Sequence, residues 1–194
     1  MNFTDRQIEI IEAATVLIGV KGIQNLTTKN LANAMNFSEP SLYRHFKDKN
    51  EILISILYYY RNNMKSTLAD IMNQDITGLE KLESIMQFQF SHFAKNPAIV
   101  LVIFAETSFQ HNQILSDAVL SILNQKRSQI ETIIKHGQQD NSIRKDVDYD
   151  QLASIYMGSM RITVLNWRLN NYKENLIEEG KKLWGTLKAL VTTL

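Results

Sequence analysis

Helix breakers are scarce in this chain, and their scarcity constrains its fold more than any other feature. Only two prolines and seven glycines occur among 194 residues, and most segments between them carry apolar residues three and four positions apart. That spacing places apolar side chains on one face of a helix. No convincing strand-like alternation of apolar and polar residues is present. The sequence therefore predicts an all-α protein.

The first 49 residues predict three short helices. Thr4 can cap a helix over about 5–20, which Gly22 is well placed to end. A second helix begins at residue 27 or 28 and ends near residue 35. It is only about two turns long.

A tight turn and a third helix follow directly. Asn36 tolerates the left-handed backbone that such a turn needs, and Ser38 is suited to cap a helix over about 38–49. Pro40 falls in the first turn, where its missing N–H costs nothing. Leu42 and Phe46 are four residues apart and are expected to pack inward. Two short helices joined by such a turn predict a helix-turn-helix, whose second helix normally enters the DNA major groove.

Residues 4 to 55 resemble the N-terminal domain of TetR/AcrR-type transcriptional regulators. The matching motifs are Ile10-Ile11-Glu12-Ala13-Ala14, Gly22, Thr27-Thr28, Leu31-Ala32, Phe37-Ser38, Leu42-Tyr43-Arg44-His45-Phe46, Lys47-Asp48-Lys49 and Glu51-Ile52-Leu53. The chain departs from the family at Asn36, where glycine is usual, and at Pro40, where a small residue is usual. The resemblance implies a DNA-binding domain over 1–49 and a helical domain for effector binding and dimerisation over 50–194.

The resemblance and the polar surface of the motif together predict DNA contacts. The candidates are Thr28, Lys29, Ser38, Ser41, Tyr43, Arg44, His45, Lys47 and Lys49. Ser41 and Arg44 are the plausible base readers, and Lys49 is expected to hold a phosphate with backbone N–H groups at the start of the next helix. Alternatively, Thr28 is a simple cap, Arg44 pairs with an acid, and His45 is only an exposed helix residue.

The remaining chain predicts six further helices. Their approximate ranges are 50–72, 78–95, 97–108, 113–138, 149–171 and 174–193. Apolar residues on the last two form stripes that serve either as the core of one subunit or as a self-associating pair. The resemblance implies the second, a homodimer on a palindromic operator. The predicted interface residues are Leu152, Ile155, Tyr156, Ser159, Thr163, Leu183, Trp184, Leu187, Leu190 and Val191.

Methionines and aromatic residues are frequent in the middle of the chain. In a helical domain they are first of all core residues, but the resemblance implies an effector pocket, and such side chains suit a bulky apolar molecule. The predicted pocket residues are Tyr60, Met64, Met86, Phe90, Phe93, Phe104, Phe109, Met157, Met160, Arg161 and Trp167.

Composition and motif searches bear on other functions. The net charge of +1 requires a DNA-binding protein to concentrate its cations locally. The chain has no cysteine, no apolar run of membrane-spanning length and no signal peptide, so a cytoplasmic protein is expected. No nucleophile, base and orienting group occur together, and the four histidines are scattered, so neither an enzyme, a metal site nor a cofactor is predicted. The alternatives are a DNA-binding protein of the same fold without effector, acting in the nucleoid or in cell division, and a helical enzyme.

Overall fold

The computed structural model describes residues 2–104 and 112–192. Within these ranges all regular secondary structure is helical. The helices are α1 (Asp5–Lys21), α2 (Thr28–Ala34), α3 (Glu39–Tyr43), α4 (Lys49–Asn73), α5 (Gly78–Lys95), α6 (Pro97–Ile103), α7 (Gln113–Gln139), α8 (Tyr149–Leu169) and α9 (Leu176–Val191), and a 3₁₀ turn covers Ile23–Asn25. The all-α prediction is confirmed.

Local signals in the sequence determine most helix ends. Thr4 and Gln7 form a reciprocal capping box at the start of α1, and Gly22, at φ 81°, ends this helix. Asp148 caps α8, and Asn175 caps α9. Pro97 lies in the first turn of α6, where a proline needs no hydrogen bond to its nitrogen.

Two predicted helices are longer than the observed ones. The third ends at Tyr43 instead of continuing to residue 49, because the N–H groups of His45 and Phe46 both bond to the Leu42 carbonyl and close the helix in a tight turn. The sixth, predicted over 97–108, ends at Ile103. Residues 105–108 of that prediction lie outside the described residues.

The helices form two compact units. The first consists of residues 1–65 and 96–121. Its core includes Ile10, Ile18, Leu31 and Leu42, each at most 1% exposed. Helix α6 joins this unit because it packs on α1: a Cβ at Gly19 would lie 2.9 Å from the Cβ of Ala98. The domain division at residue 49 stays a prediction about function.

The second unit consists of residues 66–95 and 122–194. Helix α5 packs most closely on α9, and α8 packs on both. Gly180 permits the α5–α9 contact, since a Cβ there would lie 2.5 Å from Cδ2 of Phe90. The Tyr156 hydroxyl donates to the Leu82 carbonyl at 2.8 Å and so ties α8 to α5. No described helix is long and apolar enough to cross a bilayer.

Candidate nucleic-acid interface and regulatory body

Helices α2 and α3 are held at a fixed angle by the turn between them. Thr27, not Thr28, caps α2, because its hydroxyl accepts the Asn30 N–H at 3.1 Å. Asn36 adopts φ 55°, as the sequence predicted. The Phe37 N–H then bonds back to the Ala32 carbonyl at 2.8 Å. These contacts form a helix-turn-helix.

Thr28 and Tyr43 lie together where α2 begins. The Thr28 hydroxyl donates to Glu39 Oε2 at 2.7 Å and accepts from the Tyr43 hydroxyl at 3.5 Å. The Tyr43 side chain is 52% exposed. Two hydroxyl groups from different helices therefore lie side by side near the surface, an arrangement suited to a phosphate oxygen.

The other residues predicted to contact DNA differ in exposure and in the hydrogen bonds that they already make. Lys29, Arg44 and Lys47 are exposed. The hydroxyls of Ser38 and Ser41 are hydrogen-bonded to each other at 2.9 Å. Ser38 is the N-cap residue of α3, but its side chain makes no hydrogen bond to the backbone of this helix. His45 is half-buried, and its carbonyl accepts from Nε2 of Gln7 on α1 at 3.2 Å.

Lys49 is less available than the sequence predicted. Its Nζ donates to the Ile23 carbonyl at 3.4 Å, and burial lowers the pKa of this ammonium below its usual value. Carboxylates already bond to nearby backbone donors: Asp48 accepts from the Glu51 N–H at 2.9 Å, and Glu51 accepts from the Lys47 N–H. Fewer backbone donors therefore remain for a phosphate at the start of α4.

The predicted interface residues of α8 and α9 divide into two groups. Five are buried inside the protomer and already belong to its core, which leaves them little surface for a partner: Leu152, Tyr156, Trp184, Leu187 and Val191. Ile155 and Leu190 are 52% and 58% exposed, and Ser159, Thr163 and Leu183 are half-buried. Dimer contacts by all ten of these residues remain a prediction.

The predicted pocket residues are distributed over both units. Tyr60, Met64 and Phe104 lie in the first unit and are half-buried. In the second unit Met86, Phe90, Phe93 and Met160 are buried, Met157 is half-buried and Arg161 is exposed. Phe109 lies outside the described residues. Phe90 packs on Gly180, so its ring is a core contact.

Trp167 lines a recess in the second unit. Its Nε1 donates to the Glu174 carbonyl at 2.9 Å, and its ring meets Tyr172 edge to face at 4.7 Å. The recess has a volume of about 250 Å³ and is lined by Thr163, Asn166, Trp167, Asn170, Glu174 and Glu179. Amide and carboxylate groups supply four of these six lining residues, and a place for Trp167 in an apolar effector pocket stays a prediction.

Sequence reasoning missed a polar pair in the second unit, a half-buried lysine bonded to a buried glutamine. Nζ of Lys126 donates to Oε1 of Gln89 at 2.7 Å, and Gln89 is 2% exposed. One signal was available, because Lys126 lies one turn before Ile130 on the apolar stripe of its helix. A charged residue in line with such a stripe is an unusual buried group.

The geometry of residues 1–49 defines a class of protein: a helical DNA-binding protein with a helix-turn-helix head. Comparisons with known families agree. Residues 10–56 match the model described as bacterial regulatory proteins of the tetR family, and residues 60–190 match the model of the YsiA-like protein C-terminal region. The chain therefore belongs to the TetR family of bacterial regulators, and it is a DNA-binding transcription regulator.

Relatives of two kinds align over most of the chain. The nucleoid occlusion factor SlmA of Vibrio vulnificus is 21% identical over 189 residues, which cover 97% of this chain and 96% of that protein. The fatty acid metabolism regulator protein of Bacillus subtilis is 24% identical over 172 residues, which cover 89% and 88%.

Solved structures share the fold. The regulator FadR of Bacillus subtilis, crystallised with stearoyl-CoA, gives a TM-score of 0.82 at 23% identity and covers 93% of this chain and 96% of its own. FadR of Thermus thermophilus, in complex with lauroyl-CoA, gives 0.67 at 19% identity, covering 94% and 93%. At these identities the likeness shows the fold alone.

Proposed function

We propose that the protein is a homodimeric repressor that binds a palindromic operator and releases it when the second unit binds a long-chain acyl compound. One observation carries the proposal: the chain contains both a helix-turn-helix with exposed polar groups and a C-terminal region that matches a regulatory family over 60–190. Two structural relatives with this fold bind acyl-CoA, which supports the acyl class of effector.

The exposed face of α8 supports dimerisation. Ile155, Ile162 and Leu169 recur every seven residues, so they lie on one helix face, and they are 52%, 51% and 65% exposed. Gly158 lies beside this stripe, and a Cβ built there meets nothing within 4 Å. A glycine inside a helix costs about 1 kcal/mol relative to alanine. No contact within the described protomer needs a glycine at position 158, whereas close approach of a second α8 would need one.

Release of the operator requires only differential affinity. An effector that binds more tightly to the dimer state with misplaced recognition helices shifts the population toward that state. A 99-fold excess of the DNA-competent state becomes a 99-fold excess of the other when the effector prefers the latter by about 10⁴-fold. The two states differ in the separation of the α3 helices, which must match successive major grooves.

The test is a titration of the protein–operator complex by fluorescence anisotropy. Palmitoyl-CoA and palmitate are added to the complex, and CoA without an acyl chain is the control. We expect an acyl compound to lower operator affinity at least tenfold and CoA alone to leave it unchanged. If neither acyl compound changes the affinity, the proposed effector class is wrong.

The relatives also favour a second candidate, a DNA-binding factor without a small effector. Its support is the alignment with nucleoid occlusion factors over 97% of the chain. This candidate predicts that no acyl compound changes operator affinity and that binding sites are dispersed over a chromosome. Mapping of bound sites in a bacterial host separates the two, because an acyl-responsive repressor occupies few sites near the genes it controls.

A further inference from the structure

A cation is held inside the second unit by an uncharged partner. The Lys126 ammonium on α7 donates to the amide oxygen of Gln89 on α5 at 2.7 Å. Gln89 is 2% exposed, and Lys126 is half-buried. Burial lowers the pKa of Lys126 to about 8. Both polar tips are therefore removed from most of the solvent that would otherwise bind them.

Buried apolar residues adjoin this pair along each helix. Met86 lies one turn before Gln89 and Phe93 one turn after it, and they are 1% and 6% exposed. On α7, Ile130 and Ile133 continue the face of Lys126 and are each 1% exposed. The ammonium and the amide thus lie in line with buried apolar residues on both helices.

The two helices approach closely where α5 begins and α7 ends, and a glycine from each lies at that contact. A Cβ at Gly78 of α5 would lie 2.3 Å from the backbone nitrogen of Gly137 at the other helix. Gln89 lies eleven residues after Gly78, and Lys126 lies eleven residues before Gly137, a distance of about 16 Å along each helix. At that distance from the glycine contact, the hydrogen bond between Lys126 and Gln89 links the two helices.

Hydrogen-bonding capacity remains at this pair. An ammonium has three donors, and Gln89 accepts one of them. The ion pairs found among the described residues include none with Lys126. While the Gln89 oxygen accepts from Lys126, its amide NH₂ group can donate to a further acceptor. A buried ammonium is costly unless acceptors or a counter-charge satisfy it.

We propose that Lys126 and Gln89 bind the acyl oxygen of the effector, that is, the oxygen of a carboxylate or of a thioester carbonyl at the end of a long apolar chain. The inference rests on the proposed function and specifies its ligand contact. The ammonium supplies charge and donors, and the amide supplies a second donor. A long chain attached to that oxygen reaches apolar contacts only if Met86, Phe93, Ile130 and Ile133, each at most 6% exposed, move apart. A free fatty acid and an acyl-CoA both carry such an oxygen.

Ligand binding and operator release are measured in parallel on the full-length protein. Isothermal titration with palmitate and with palmitoyl-CoA is made on the wild type, Lys126→Met and Lys126→Arg, with Lys182→Met at an exposed lysine as the matched control. Lys126→Met removes the charge and keeps an apolar stem, so the fold is expected to persist, which its melting temperature verifies.

We expect Lys126→Met to weaken binding of at least one of the two compounds, palmitate or palmitoyl-CoA, by about 10-fold or more. Lys126→Arg should keep most of the wild-type affinity, and Lys182→Met should leave the affinity unchanged. A larger loss for palmitate than for palmitoyl-CoA identifies a carboxylate, and the reverse identifies the thioester.

Unchanged affinity of folded Lys126→Met for both compounds overturns this inference, while operator release by the wild type still supports the proposed function. If the wild type binds neither compound, the acyl effector and the inference are both wrong.

Discussion

A glutamate at Ile162 tests the proposed dimer face of α8. Ile155, Ile162 and Leu169 are each at least half exposed, and burying the exposed part of such a side chain contributes about 1 kcal/mol. Three residues from each protomer thus supply about 6 kcal/mol to the dimer. Ile162→Glu removes two of these contributions and buries two carboxylates, at a further cost of about 1 kcal/mol or more each. We expect the dimer dissociation constant to rise about 1,000-fold.

Mass photometry over a dilution series measures that dissociation constant directly. Val20→Glu is the matched control, because Val20 is 77% exposed on α1 and lies outside the proposed face. Circular dichroism verifies that both variants keep their helical content. An unchanged dissociation constant for folded Ile162→Glu would place the interface elsewhere and refute the reasoning, as would an equal rise for Val20→Glu.

Three further perturbations have defined outcomes. Gly180→Ala places a Cβ 2.5 Å from Phe90, and such overpacking should lower the free energy of unfolding by about 1–3 kcal/mol in chemical denaturation. Folding lowers the pKa of Lys126 from 10.5 to about 8, so the folded state binds fewer protons than the unfolded state between pH 8 and pH 10.5. The free energy of unfolding of the wild type should therefore rise across this pH range by up to about 3 kcal/mol relative to Lys126→Met. Lys29→Ala should weaken binding to specific and random DNA alike and reduce the salt slope by about one, whereas Arg44→Ala should change base preference.

Each of these has its own control. Gly185→Ala should not destabilise the protein, because a Cβ there meets nothing within 4 Å; equal losses at both glycines would contradict the packing argument. Lys182→Met, at an exposed lysine, should follow the wild-type dependence of stability on pH. If the difference in stability between the wild type and Lys126→Met does not change with pH, the Lys126 ammonium is solvated in the folded protein. Lys173→Ala is the control for the DNA-binding variants and should leave DNA binding unchanged. If Lys29→Ala and Arg44→Ala weaken binding equally on all DNA sequences, Arg44 is not a base reader.

Local chemistry made most of the fold predictable. The Thr4 cap, the stop at Gly22 and the left-handed Asn36 depend on residues adjacent in sequence, and all three are confirmed. The predicted start of α5 at residue 78 and its end at residue 95 are confirmed for the same reason. The predicted third helix is too long, because the spacing of apolar residues does not reveal the hydrogen bonds that close this helix after Tyr43.

The candidate sites were less predictable, since they depend on which helix faces which. Trp184 and Leu187 lie on the same helix stripe as Leu183, and only packing shows that the first two are core residues. A lysine is normally a surface residue, and only the contact with Gln89 distinguishes Lys126 from the other lysines of the chain. Which oxygen or phosphate a side chain binds depends on distances that sequence spacing does not determine.

Selection of bound sequences from random duplex DNA by the purified protein tests the central claim most directly. The account predicts an enriched palindrome whose two halves are read by the two α3 helices of a dimer, and it predicts that Tyr43→Ala, which removes the exposed phenol beside Thr28, loses this enrichment. A folded wild-type dimer that enriches no sequence at modest salt, or a Tyr43→Ala variant that selects the same palindrome with the same affinity, would contradict it.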